Sequence, residues 1–284
     1  MSDTEKYTEV IKANIALHSK MSEHYNTCEP HFRPENIQKV EAKLVAAINS
    51  TKAEKLLDLG CGTGFMINIA KKYVKEITGV DVTQAMMDKV DLSGNAKITL
   101  INHDTGSVSL DFGTFDVITA YSFLHHLYDV HPTFSTAFKA LKLGGKFYAD
   151  LEPNYYFWEK IHQLDRNGKY NPIVKREIEM VTYKDEDIKK NFGVEKYIFN
   201  NAEFGKNIKG GFREEELTEQ LHKAGFSNVD FFYHWYIGQG SLINNEQYSK
   251  EERFKYADVM DVVLQKILPL SKHLFKYIGF VATK

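Results

Sequence analysis

The stretch Leu56-Leu57-Asp58-Leu59-Gly60-Cys61-Gly62-Thr63-Gly64 decides the fold of this chain. An apolar run ends there in a glycine-rich turn, and a helical pattern begins directly after it. Glycine tolerates positive φ and lets the backbone approach a ligand closely, and the free N–H groups of the following helix point at the same place. The stretch therefore predicts a nucleotide-cofactor site between a strand and a helix.

Three further apolar runs predict strands that end in polar residues at one edge of the same sheet. They are residues 76–81, 97–104 and 115–121, which end in Asp81, in His103 and Asp104, and in Tyr121. Asp81 follows the glycine turn at about the distance where nucleotide-binding α/β units place a carboxylate for ribose hydroxyls. The pattern predicts a doubly wound α/β fold with its ligand site at the carboxyl edge of the strands.

These motifs resemble those of the class I S-adenosylmethionine-dependent methyltransferases, whose first motif is an acid followed by Gly-x-Gly-x-Gly. Here the matching residues are Asp58, Gly60, Gly62 and Gly64. A dinucleotide dehydrogenase would carry Gly-x-Gly-x-x-Gly, with its third glycine one residue later. The resemblance continues through Asp81, His103 and Asp104, residues 124–127, 141–147 and 212–226, and the terminal strand.

The resemblance implies a Rossmann-like, three-layer α/β/α sandwich with a seven-stranded, mostly parallel sheet whose last strand is antiparallel. It assigns the cofactor-binding core to residues 51–154, 211–238 and 274–284. Residues 1–50 are expected to form an N-terminal helical cover, and residues 155–210 and 239–273 to form inserted lid segments. The first insert is aromatic and is too long for an ordinary α/β connection.

Two helical stripes are predicted outside the central motifs. A helix starting at Pro34 should bury Ile37, Val40, Leu44, Val45 and Ile48. The second stripe consists of Val262, Val263, Leu264, Ile267 and Leu268, before Pro269. We expect it to pack on the core or lid, with a dimer face or a membrane-surface contact as the alternative.

S-adenosylmethionine is the implied cofactor, and S-adenosylhomocysteine is the implied product. The predicted cofactor-binding residues are Tyr25, Asp58, Gly60, Cys61, Gly62, Gly64, Asp81, Val82, His103, Asp104 and Tyr121. Asp58 would brace the glycine turn or the cofactor's ammonium group, and Asp104 would accept from the adenine amino group. The structural alternatives are a buried partner for Asp58, a turn cap for Asp104 and simple coverage of the sheet by Tyr25.

Methyl transfer from a sulfonium requires alignment of the acceptor, methyl group and sulfur, and exclusion of water. His125 and His126 are predicted catalytic bases because an imidazole titrates near neutrality. Tyr121 is the third predicted catalytic residue, and it, Asp150 or Glu152 could orient an acceptor. The alternative for the histidines is packing on the glycine turn. No metal is predicted, because the histidine spacing does not favour zinc and Cys-x-x-Cys is absent.

The predicted acceptor is a small molecule, methylated on oxygen or nitrogen. The aromatic insert favours a largely apolar pocket, and the segment after strand four lacks the Asn/Asp-Pro-Pro-Tyr/Phe motif of many base and amide methyltransferases. An RNA (tRNA) methyltransferase and a non-catalytic S-adenosylmethionine-binding partner or regulatory protein are the alternatives.

Composition agrees with an enzyme of one elaborated domain, or of one domain with a lid. The chain has 284 residues, 43% of them hydrophobic, and a net charge of −2, which argues against an extended nucleic-acid surface. Its two cysteines, Cys28 and Cys61, and the lack of a signal-peptide core or long apolar run favour a cytoplasmic protein with no transmembrane segment. A homodimer is one expected arrangement.

Overall fold

A seven-stranded sheet forms the centre of the computed structural model, in the order β3-β2-β1-β4-β5-β7-β6. The strands are β1 (Lys55–Leu59), β2 (Glu76–Asp81), β3 (Lys97–Asn102), β4 (Phe115–Tyr121), β5 (Leu141–Pro153), β6 (Asn228–Tyr236) and β7 (Phe275–Thr283). Strands β1 to β5 pair in parallel, and β7 lies antiparallel between β5 and β6. This arrangement confirms the predicted sheet with its antiparallel last strand.

The structure describes residues 2–182 and 184–284, apart from the side chains of Cys28, Val181 and Thr182. The α-helices are α1 (Asp3–Met21), α2 (Tyr25–Cys28), α3 (Pro34–Thr51), α4 (Phe65–Ala70), α5 (Gln84–Met87), α6 (His131–Ala140), α7 (Tyr155–His162), α8 (Pro172–Thr182), α9 (Lys184–Phe192), α10 (Lys196–Ala202), α11 (Glu214–Ala224), α12 (Gln239–Ile243) and α13 (Lys250–Lys266). Short 3₁₀ turns cover Pro30–Phe32, Leu124–His126 and Lys272–Leu274, and a π turn covers Phe204–Ile208.

Two hydrophobic cores lie on opposite faces of the sheet, because successive residues of a strand point to opposite faces. Leu57, Ile118 and Phe147 pack against α6 and α11 on one face. Leu56 and Val117 pack against α3 and α4 on the other. A strand that is buried on both faces requires a nearly continuous apolar run, and the run before the glycine turn has this pattern. These layers confirm the predicted α/β/α sandwich.

The N-terminal helices α1 and α3 pack against different parts of the molecule. As predicted, α3 starts at Pro34 and buries Val40, Leu44 and Ile48, whereas Ile37 and Val45 are half-buried. In α1, Ala13, Leu17 and Met21 share a third apolar cluster with Ile188, Phe199 and Ala202. The N-terminal helix is therefore packed against residues 155–210, which lie between β5 and α11 and are called the first insert below.

The first insert contains α7 to α10 and the π turn, and residues 239–273 contain α12 and α13. The division of the chain into core, cover and lid stays a prediction. The predicted packing of the second stripe holds in part: Leu264 is buried and Leu268 packs against the core, whereas Val262, Val263 and Ile267 are 51%, 49% and 46% exposed. Among the described residues, no helix has the length and apolar character needed to cross a membrane.

Candidate active site

The glycine turn after β1 is tied to the end of β2. The N–H groups of Gly60 and Cys61 both donate to the Val80 carbonyl oxygen, at 2.8 and 3.1 Å. Gly60 has a φ of +71°, and a Cβ there would lie 2.0 Å from a ring carbon of Phe123. Only glycine fits this backbone and this neighbour. The turn is thus a fixed, concave backbone surface at the carboxyl edge.

Asp81 braces that surface with both carboxylate oxygens. Its Oδ2 accepts from the Gly62 N–H at 2.9 Å, and its Oδ1 accepts from the Thr83 N–H at 2.8 Å. Burial raises the pKa of Asp81, and the two backbone donors oppose that shift. Because a carboxylate has about four acceptor positions, each oxygen can still accept from a ligand hydroxyl.

Asp58 is a buried carboxylate at the bottom of the same pocket. It is 1% exposed, and its Oδ1 accepts from the Thr119 hydroxyl at 2.7 Å. Burial raises the pKa of Asp58 to about 7, against the Thr119 hydrogen bond. No cationic side chain among residues 2–182 and 184–284 forms an ion pair with it. A ligand ammonium group would supply the missing charge.

The pocket around the glycine turn contains most of the predicted cofactor-binding residues. Those that line it are Tyr25, Asp58, Gly60, Cys61, Gly62, Asp81, Val82, Asp104 and Tyr121. Gly64 instead caps α4 with a φ of +86°, and His103 is exposed on the loop after β3. Neither of these two lines the pocket, so their position gives the predicted ligand contact no support.

Helix α1 supplies pocket residues that sequence reasoning missed. Tyr7, Asn14 and His18 line the pocket, together with His31 from the turn before α3. The Tyr7 hydroxyl donates to Asp104 Oδ2 at 2.6 Å, and this bond joins residues 97 positions apart. No local sequence signal identifies such a contact.

A second cavity, of about 410 Å³, lies beside the first. The two cavities share five wall residues: His18, Tyr25, His31, Ser122 and His126. The first insert contributes aromatic side chains to the second cavity, among them Phe157 and Trp158. It also carries the ion pair of Glu203 and Lys206, so the cavity is less apolar than the aromatic sequence suggested.

Strained backbone is concentrated at these cavities. Ser122, Leu151 and Trp235 have φ values of 51°, 60° and 54°, and each lines the second cavity. A non-glycine residue in this region costs about 1–3 kcal/mol and persists only where the surrounding structure imposes it. The strain therefore supports a functional assignment for this edge of the sheet.

Glu152 holds the 3₁₀ turn that carries the two histidines. Its Oε1 accepts from the N–H groups of Phe123 and Leu124, at 2.9 and 2.8 Å. Its Oε2 accepts from the N–H of His125 at 3.0 Å and contacts the Nδ1 of the same residue at 2.7 Å. All four groups donate to the carboxylate and fill its acceptor positions. Glu152 therefore cannot also orient the methyl acceptor, which was one of the predicted roles. Its carboxylate instead fixes the proton of His125 on Nδ1, so Nε2 is the unprotonated nitrogen of a residue that lines the second cavity.

His126 has a different environment, although it follows directly in the chain. Its Nδ1 lies 2.7 Å from the Ala202 carbonyl oxygen, which can only accept, so Nδ1 carries the proton. Burial, followed by the charge of His125, holds the pKa of His126 well below its usual value. His126 is therefore a neutral ring in the wall between the two cavities.

The other two predicted residues at strand ends are Asp150 and Tyr121. Asp150 accepts from the Tyr148 hydroxyl and the Leu151 N–H and lies 2.8 Å from His234 Nε2. Tyr121 lines the first pocket but not the second cavity. Its position supports the predicted cofactor contact over the predicted catalytic contact with an acceptor.

One group of described residues has the composition of a metal site. Ligand atoms of His125, His126 and Glu203, all buried, lie within 4.8 Å of one another. However, the Lys206 Nζ already lies 2.6 Å from Glu203 Oε2, and the Ala202 oxygen occupies His126 Nδ1. As it stands, the group is an ion-pair network closed by a lysine, and the absence of a metal stays a prediction.

Comparison with known proteins gives a match over the central strands. A family model described as a methyltransferase domain matches residues 57–149. The ubiquinone biosynthesis O-methyltransferase of Coxiella burnetii is 26% identical over 123 residues, which are 42% of this chain and 53% of that protein. The protein of the same description from Idiomarina loihiensis is 28% identical over 110 residues, or 37% and 45%. This chain spans about half the length of these curated relatives.

Solved structures share the fold at low identity. A SAM-dependent methyltransferase from Archaeoglobus fulgidus has a TM-score of 0.51 at 17% identity, covering 87% of this chain and 94% of that one. An S-adenosylmethionine-dependent methyltransferase from Mesorhizobium loti has a TM-score of 0.51 at 16% identity, covering 86% and 96%. These similarities identify the fold.

Proposed function

We propose that this chain, whose residues 57–149 form a methyltransferase domain of the class I, Rossmann-like fold, transfers the methyl group of S-adenosylmethionine to a small-molecule hydroxyl. The observation that carries the proposal is the wall shared by the two cavities. A cofactor in the first pocket and an acceptor in the second would meet at Ser122 and His126. The named O-methyltransferase relatives favour oxygen over nitrogen as the methylated atom.

The residues of the first pocket fit the implied cofactor. Asp81 can accept from ribose hydroxyls, the glycine turn leaves its backbone open to the amino-acid moiety, and Asp58 has no cationic partner among the described residues. When bound, S-adenosylmethionine supplies a methyl group on a positively charged sulfur. The protein's task is then to align the acceptor and exclude water. Helix α1 lines the first pocket and the first insert lines the second cavity, so both would restrict the access of water.

His125 is the base that the geometry favours. His125 lines the acceptor cavity, and its Nδ1 is held by an anion that stabilises the imidazolium formed on proton uptake. His126 is a poorer base, because its pKa lies well below the usual value. In the proposed reaction, His125 Nε2 would take the hydroxyl proton as the oxygen bonds to the methyl carbon and the methyl–sulfur bond breaks, with its electron pair left on the sulfur of S-adenosylhomocysteine. Later, it releases that proton to water.

Calorimetric titration with S-adenosylmethionine, S-adenosylhomocysteine and NAD tests the cofactor assignment. A panel of phenolic and aliphatic hydroxyl compounds, with amines as a comparison, then tests turnover through release of S-adenosylhomocysteine. We expect adenosyl-ligand binding and turnover with a hydroxyl acceptor. Binding of NAD instead would contradict the proposal, and tight binding without turnover on any acceptor would favour the non-catalytic alternative.

Cofactor affinity is expected to rise with pH because of Asp58. The pKa of Asp58 is about 7 in the free protein, so the carboxyl is largely protonated at pH 6 and largely ionised at pH 8. A ligand ammonium binds the ionised form better, so affinity should increase about tenfold over this range. Calorimetry in two buffers of different ionisation enthalpy should also detect proton release at pH 6. In Asp58→Asn, binding should be weaker and this pH dependence should disappear.

A further inference from the structure

The first insert contacts the histidine turn directly, backbone against backbone. A Cβ on Gly205 would lie 2.8 Å from the Cα of His125 and 3.0 Å from its carbonyl oxygen. The Ala202 carbonyl oxygen, at the end of α10, accepts from His126 Nδ1. Only a residue without a side chain fits at position 205 in this arrangement. The junction of α10 and the π turn is thus docked on the two histidines.

This junction brings a buried carboxylate to the atom of His125 that would gain a proton. Glu203 is 9% exposed, and its Oε2 lies 3.8 Å from His125 Nε2. Its Oε1 lies 3.8 Å from His126 Nδ1. Burial alone would raise the pKa of Glu203, but the positive charge of Lys206 holds it well below its usual value. Glu203 therefore presents a negative charge to the pair.

We propose that Glu203 is a positioning residue for methyl transfer: its carboxylate, carried by the first insert, stabilises the imidazolium of His125, and Lys206 limits the strength of this effect. This inference rests on the proposed function for its role in catalysis. The electrostatic part of the inference is independent of the proposed function: Glu203 and Lys206 should shift the titration of His125 in opposite directions.

Other charged groups face the two histidines and must be compared. Glu152 of β5 binds His125 Nδ1 in both protonation states of the ring, whereas Glu203 faces Nε2, which changes state. His18 of α1 packs edge-on to His126, with ring centres 4.7 Å apart. Of the two carboxylates, Glu203 is the one that belongs to the first insert. The basicity of His125 would therefore depend on docking of that insert.

Histidine titration by NMR on the full chain, without an acceptor, tests the inference. The His125 signal is assigned by its loss in His125→Asn. We expect Glu203→Gln to lower the titration midpoint of His125 by about one pH unit, since an opposite charge within 4–6 Å favours the charged form. Lys206→Met should raise the midpoint, because the positive charge that now repels the His125 imidazolium and neutralises Glu203 is removed.

Glu177→Gln is the matched control. Glu177 is a buried carboxylate in the same cavity that is also paired with a lysine, Lys276. The Glu177→Gln variant should leave the titration midpoint of His125 unchanged. If Glu203→Gln shifts the midpoint no more than this control, or if Lys206→Met lowers it, the inference is wrong. Should Glu203→Gln not fold, Lys206→Met still decides.

Turnover provides the second readout. If the proposed function holds, the acid limb of the kcat/KM profile should move in the same directions as the NMR midpoints, whereas a purely structural role would lower activity without moving the limb. Failure of the proposed function is recognised separately, by a wild-type protein that does not bind S-adenosylmethionine. An unshifted histidine in a protein that binds S-adenosylmethionine overturns the inference alone.

Discussion

His125→Asn is expected to lower kcat by about 10²- to 10⁴-fold, the usual contribution of a positioned base. The substitution removes Nε2, while the asparagine amide can still donate to Glu152 Oε2 in place of Nδ1. This choice matters because a buried carboxylate that loses a donor destabilises the fold and would obscure the catalytic effect. The dissociation constant of S-adenosylmethionine should change by less than about twofold, since His125 does not line the first pocket. Single-turnover kinetics and calorimetry measure the two effects.

The companion variant is His126→Asn. His126 borders both cavities but titrates well below the usual range, so we expect a loss of affinity for the cofactor and a smaller loss in kcat. His103→Asn, on an exposed loop outside both cavities, should behave as wild type. Equal losses in kcat for His125→Asn and His126→Asn would contradict the assignment of the base.

The sheet and the first pocket were largely predictable because their signals are local. A strand that is buried on both faces requires a continuous apolar run, and the turn after β1 requires glycine at position 60. Asp58 and Asp81 follow from the same logic, since an acid at the end of an apolar run needs a partner. Both line the pocket as expected.

The acceptor side could not be predicted because its contacts join distant parts of the chain. Tyr7 meets Asp104, and Glu203 meets His125. Neither pair has a spacing rule, since each depends on how α1 and the first insert pack together. Glu152 shows a related difficulty. Its polar character at the end of a strand was visible, but its four hydrogen bonds depend on the path of the following loop.

The exposed part of the second helical stripe was misjudged for a third reason. Apolar spacing along a helix predicts a stripe on one face, but it does not say whether another element of the chain covers that face. Leu264 is covered by the core, and Val263 is not. A homodimer through this face stays a prediction, which the mass of the protein in solution would test.

Asp81→Asn is expected to raise the dissociation constant of S-adenosylmethionine by about 100- to 1,000-fold. Two hydrogen bonds from ribose hydroxyls to a carboxylate account for about 3–4 kcal/mol. The glycine turn would loosen as well, because both oxygens of Asp81 now accept backbone N–H groups. An asparagine must direct its amide N–H₂ at one of these donors. Asp91→Asn is the control, since Asp91 is an exposed carboxylate paired with Lys71 outside the pocket. Calorimetry should find wild-type affinity in the control. An Asp81→Asn protein that binds as tightly as the control would show that the ribose is recognised elsewhere.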